Sequence, residues 1–271
     1  NLAVIGYTQG LNILLNLFFG PAVNAARGIA VQVQSMLSGF TANFQTAVNP
    51  QLTKSYAKGD FQRMHELIVL SSKFSFFLLL FLSLPVIFEA NLVLKWWLGQ
   101  VPDHSVNFFR LIVCTSLLYT LANPITTSVN ATGILKKFQL VEGSMLLMIV
   151  PIAYICLKFF HIQPEGVFVV HICVEICTQI ARLVIVLPMI NFPMKDYLSS
   201  IIRPVFIVLL LAPILPLLTY FSMDQNVGSF FVVCSVCVLT TACVILKFGC
   251  NEPERAFVYT KVKTLLHFHH E

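Results

Sequence analysis

Long apolar runs, broken by short clusters of Gly, Pro, Asn and charge, divide this chain into eight predicted helices at roughly 2–19, 22–48, 74–94, 106–127, 139–160, 167–190, 202–222 and 229–247. The runs 74–90, 145–160, 201–221 and 230–246 each approach the ~20 residues that a helix needs to cross a bilayer. The pattern predicts an all-α polytopic membrane protein. Connections between the runs are short. The longest, 51–73, is expected to be a loop followed by a surface helix, which leaves no room for a soluble catalytic domain.

Alternating the eight helices across a membrane gathers the basic residues on one side. Lys54, Lys58, Arg63, Lys73, Lys136, Lys137, Arg182, Lys195, Arg203, Lys247, Arg255, Lys261 and Lys263 fall there, and of the 17 Lys and Arg residues only Arg27, Lys95, Arg110 and Lys158 do not. Because basic residues stay on the cytoplasmic side of a membrane, the tail after 247 and the start of the chain are expected to be cytoplasmic.

Composition removes several classes. Only 11% of the 271 residues are charged while 57% are hydrophobic, against about 25% charged in ordinary soluble domains. The net charge of +5 is scattered over short loops, so no nucleic-acid partner is expected. Position 1 is Asn and the chain enters a helix at Leu2, so the sequence is expected to lack a signal peptide and an N-terminal portion. All eight cysteines lie in or beside apolar runs, where a thiol is a small hydrophobe rather than part of a disulfide framework. Cys234 and Cys237 have CxxC spacing without a second pair. His267, His269 and His270 end the tail with no other ligand near in sequence, so no metal is expected. No nucleotide-binding loop, nucleophile elbow or zinc-protease motif occurs; neither an enzyme nor a cofactor is expected.

The polar residues inside the spans carry the candidate chemistry. In the second helix Asn24, Arg27, Gln34, Ser38, Thr41, Gln45 and Asn49 recur at three, four or seven positions and share one stripe. Gln9, Asn12 and Asn16 repeat this in the first helix. Two readings follow: the walls of a watery cavity, or a polar interface between helices. Arg27 either faces water or an anion such as phosphate, or reaches the outer headgroups from near its helix end. In the sixth helix His171, Glu175, Gln179 and Arg182 share a stripe with Glu175 near its middle. Glu175 is either an ion-coupling carboxylate or a structural partner of His171 or of a base on another helix. Glu142 and Arg110 read as boundary charges. Pro85, Pro124, Pro151, Pro188, Pro213 and Pro216 are expected to bend their helices.

Three stretches carry a resemblance: Asn24-Ala-Ala-Arg27-Gly-Ile-Ala30, Ala47-Val-Asn-Pro50-Gln-Leu-Thr-Lys-Ser-Tyr-Ala-Lys-Gly-Asp60 and Asn130-Ala-Thr-Gly133. In these the chain resembles the polysaccharide (O-antigen type) flippases of the multidrug/oligosaccharidyl-lipid/polysaccharide exporter superfamily, most closely over its first ~60 residues. The resemblance implies a fourteen-helix, two-lobe transporter in the bacterial inner membrane. Residues 1–190 would be its C-terminal six-helix lobe, 191–247 two additional helices and 248–271 a cytoplasmic tail, with the N-terminal lobe of the same chain as partner. It further implies transfer of an undecaprenyl-pyrophosphate-linked oligosaccharide to the outer leaflet by alternating access, the polyprenyl tail staying in membrane lipid. Arg27 matches the cavity arginine that would hold the pyrophosphate, Asn24, Gln34, Ser38, Thr41, Gln45, Gln9, Asn12 and Asn16 would solvate sugar, and Glu175 would couple to a proton or sodium ion. Two rivals remain: a multidrug and toxin extrusion cation antiporter, which should carry acids in its cavity, and a membrane glycan polymerase or acyltransferase, which should carry a large outward loop.

Overall fold

The structure is a computed structural model that describes residues 2–223, 226–256 and 260. Among them every regular element is helical. Seven helical stretches are long and apolar enough to cross a membrane: Leu2–Phe19, Phe61–Phe88, Ser105–Thr132, Lys136–Phe160, Pro164–Met189, Met194–Ser222 and Val227–Gly249. An eighth long helix, Pro21–Ala57, spans 37 residues but falls outside that set, because its polar stripe lowers its hydropathy.

Helix α1 (Leu2–Phe19) gives way to α2 (Pro21–Ala57) across the single residue Gly20. Gly20 has φ of 88°, which a residue without Cβ adopts freely, and Pro21 then supplies a first-turn φ already suited to a helix. Where a loop and a surface helix were expected over 51–73, α2 instead continues through Pro50 to Ala57 and α3 (Phe61–Phe88) starts after a tight turn. Asp60 caps α3 by accepting from the Arg63 backbone N–H at 3.0 Å. The polar residues of this region are therefore the ends of two long helices.

A short amphipathic helix, α4 (Ala90–Leu98), follows α3 and leads to α5 (Ser105–Thr132). Trp96 and Trp97 of α4 are exposed, and Trp96 stacks edge-on against Phe230 at 4.8 Å. The predicted fifth span is two helices, α6 (Lys136–Leu147) and α7 (Ile149–Phe160), divided at Met148. Pro151 lacks the N–H that would bond to Leu147, which accounts for the break. Helix α8 (Pro164–Met189) is continuous through Pro188. The predicted seventh span, 202–222, lies within a longer helical stretch that begins at Met194 and comprises α9 (Met194–Tyr197), a π-helical turn (Leu198–Ile202), α10 (Arg203–Leu211) and α11 (Ile214–Ser222), and the last predicted span corresponds to α12 (Val227–Val244) with a second π-helical turn (Ile245–Gly249). Pro204 cannot donate to Ser200, and the π turn before it absorbs the missing bond.

The interior helices are α3 and α5, 67% and 56% buried over their most apolar windows, while the window of 194–222 is only 28% buried and that of α12 with its π turn 22%. Helices α2, α3, α5 and α8 pack around one core that includes Phe76, Phe77, Phe108, Phe109, Ile125 and Val186, with α1, α6 and α7 on one flank. Helices α10, α11 and α12 lie along α3. Outward faces carry exposed Phe159, Phe160, Ile180, Phe206, Leu218, Phe221 and Leu239, an apolar surface suited to lipid rather than water.

Helix α1 approaches α6 and α7 through Gly6 and Gly10, spaced four apart on one face. A Cβ on Gly10 would lie 2.5 Å from Val150 Cγ2, and one on Gly6 would lie 3.0 Å from Leu147 Cδ2. Gly10→Val is expected to cost about 1–3 kcal/mol by overpacking against a stiff β-branched neighbour. Thermal denaturation in detergent checks this against Gly28→Val, whose site has nothing within 4 Å; equal melting temperatures for the two variants would refute the close packing.

Candidate functional site

The stripe on α2 faces two neighbours. Toward α1, the Arg27 guanidinium donates through Nη1 to Asn12 Oδ1, and Asn12 Nδ2 donates to Gln9 Oε1 at 3.2 Å. Arg27 is half-buried, its Nε is enclosed without a partner, and it forms no ion pair among the described residues. Asn24, one turn earlier, has its Oδ1 enclosed and unpartnered among the described residues. Gln9 and Asn16 are exposed.

Toward α5 the stripe forms a polar ladder. Gln34 Nε2 donates to Ser116 Oγ and to Ser38 Oγ, both at 2.7 Å. Gln45 donates to the Thr120 carbonyl at 3.0 Å and accepts from Asn123 Nδ2 at 2.5 Å, and Thr127 donates to Asn49 Oδ1 at 3.4 Å. Thr41 is buried and donates to the Ser38 carbonyl at 2.8 Å. Buried amides that find such partners join helices firmly, so this half of the stripe is an interface. It also lines a cleft of about 350 Å³ bounded by Gln34, Ser38, Thr41, Gln45, Tyr119, Asn123, Glu142 and Arg182. Asn24, Arg27, Gln9, Asn12 and Asn16 lie outside that cleft.

The far wall of the cleft is an ion cluster. Arg182 on α8 donates to Glu142 on α6 through Nη2 at 2.5 Å and Nε at 3.1 Å, and its Nη1 reaches Glu175 at 3.5 Å and Gln179 Oε1. The Arg182, Glu142 and Glu175 side chains are 2%, 11% and 0% exposed. Glu142, expected to be a boundary charge, is thus a member of a buried triad. The basic partner of Glu175 is Arg182, seven positions along its own helix and so two turns away. One turn before Glu175, His171 Nε2 meets the Tyr119 hydroxyl at 3.3 Å, and Tyr119 meets the Tyr7 hydroxyl at 2.8 Å. Glu175 Oε2 and Gln179 Nε2 are enclosed without hydrogen-bond partners among the described residues.

Sequence reasoning missed Tyr7, Tyr119 and the α5 half of the ladder. A signal existed: Ser116, Thr120, Asn123 and Thr127 recur at four, three and four positions, a second polar stripe matching that of α2. A larger cleft of about 1130 Å³ lies between α3 and the segments around Asp196 and Glu254; Arg63 pairs with Glu66 at its rim and Lys73 takes up Glu254, while Asp196 forms no ion pair among the described residues. The expected histidine tract at 267–270 lies outside the described residues, as do Lys261 and Lys263; among the described residues no group of His, Cys, Asp and Glu has the arrangement to hold a metal ion. The chain matches no protein-family model, no curated protein and no solved structure.

Proposed function

We propose that this chain is the C-terminal part of a flippase that carries an undecaprenyl-pyrophosphate-linked oligosaccharide across the bacterial inner membrane. The observation that carries the reading is Arg27, a half-buried guanidinium in a helical bundle whose only side-chain hydrogen bond among the described residues is to a neutral amide. A cation so placed lacks an anion, and the planar fork of Arg suits a phosphate. The basic-residue asymmetry supports a cytoplasmic tail, and α2, with its polar stripe, is the eighth span. Under this reading residues 1–190 form one lobe, 191–247 two additional helices and 248–271 the tail. The exposed amides of α1 and α2 then face the cavity shared with an N-terminal lobe, and the sugar is solvated there during alternating access.

Complementation tests this in a strain lacking its own polysaccharide flippase, with surface glycan and accumulated lipid-linked precursor as readouts. The full-length wild-type protein containing this chain should restore the glycan, and Arg27→Ala in it should lose about 10- to 100-fold of the flux at equal membrane abundance, the size of a lost charge-assisted hydrogen bond. Rescue by both proteins would remove Arg27 from the site. A cation antiporter is the second reading, favoured by Glu142 in the wall of the cleft; drug efflux without glycan rescue would establish it.

A further inference from the structure

The cluster around Glu175 holds one cation against two carboxylates. Arg182 is committed to Glu142 by two hydrogen bonds, the shorter 2.5 Å, while Glu175 receives one contact of 3.5 Å and its second oxygen none. A fully buried carboxylate so weakly served carries a large desolvation cost that a bound proton removes. Among the described residues the remaining neighbours do not supply a second cation. Gln179 and Tyr197 lie on the Arg182 side, and Tyr119 of α5 lies beside the carboxyl. His171 is the next titratable group along α8, and Arg27 acts on it only at long range from α2. Sodium fits poorly, because hard cations take several oxygen ligands and here a guanidinium already stands against Glu175.

The Tyr119 hydroxyl is engaged by other groups, His171 Nε2 at 3.3 Å and the Tyr7 hydroxyl at 2.8 Å. We propose that Glu175 is the proton-carrying carboxyl of this protein. In the step, the Glu175 O–H bond breaks and its proton is taken up by hydroxide to give water, leaving a carboxylate beside Arg182. The new carboxylate then competes with Glu142 for Arg182, which lines the cleft.

The idea uses the transporter reading only for its purpose, and its test needs no transported substrate. The protein in lipid nanodiscs would be followed by infrared difference spectroscopy during a pH jump. The carboxylic-acid C=O band should fade as pH rises. It should be absent in Glu175→Gln, present but shifted in Glu175→Asp, and retained in Glu142→Gln. A band that survives Glu175→Gln, or that sodium chloride abolishes at fixed pH where choline chloride does not, overturns the assignment. A failed glycan complementation with the band present would sink the flippase reading and leave the proton site standing.

Discussion

Arg182→Met will destabilise the bundle by about 3–5 kcal/mol, the cost of leaving buried charge without its partner. The wild-type guanidinium is 2% exposed and holds Glu142 at 2.5 Å and Glu175 at 3.5 Å. Methionine fills much the same volume but donates no hydrogen bond, so Glu142 loses both contacts and faces a second carboxyl across the cleft wall. The loss belongs to uncompensated charge rather than to packing, which gives a sharp control. Arg182→Met combined with Glu142→Gln and Glu175→Gln should recover most of the stability, because isosteric neutral amides remove the charge that the methionine stranded. Unfolding in a graded denaturing detergent reads both. A single variant within about 0.5 kcal/mol of wild type, the scale of an ordinary surface substitution, would show that the triad is solvated and that the cleft is open to bulk water.

The contrast between α1 and the charged residues shows what the sequence made legible. The first predicted span and α1 share the bounds 2 and 19, because an unbroken apolar run between helix breakers is a local signal. Lys73 was placed at the end of the segment expected to be a loop and a surface helix, yet it lies within α3 with its side chain 0% exposed. Its partner, Glu254, is 181 residues away, and no local pattern announces so distant a pairing. Glu142 was misjudged for the same reason, since Arg182 lies 40 residues on. The α2 stripe was recognised as one that lipid cannot face, and the fold shows what its two halves meet: Gln34, Gln45 and Asn49 meet a matching stripe on α5, while Arg27 turns toward α1. A helical stripe fixes direction relative to its own axis, and only tertiary packing decides what it meets.

Glu254→Ala will cost more than Lys73→Met, although the two residues form one ion pair. Lys73 Nζ donates to both carboxylate oxygens of Glu254, at 2.8 and 2.6 Å, but the side chains are 0% and 20% exposed respectively. When Lys73 becomes methionine, the glutamate can turn toward water and keeps the Asn251 backbone N–H at 2.8 Å, so the loss should stay near the 1–3 kcal/mol of a charged hydrogen bond. When Glu254 becomes alanine, an ammonium fully enclosed on α3 loses both acceptors, and the penalty rises to about 3–5 kcal/mol. The pair also ties the segment after α12 to α3, alongside Arg255, which donates to the Leu246 and Lys247 carbonyls at 2.8 and 3.0 Å. Limited proteolysis after Arg255 should therefore accelerate in both variants, while detergent unfolding ranks them. Lys73→Met/Glu254→Ala should then be more stable than Glu254→Ala alone, since removing the stranded ammonium removes most of its cost. A double variant no more stable than Glu254→Ala, or a Lys73→Met that costs as much, would mean that the ammonium reaches water and that the pair contributes no more than a surface contact.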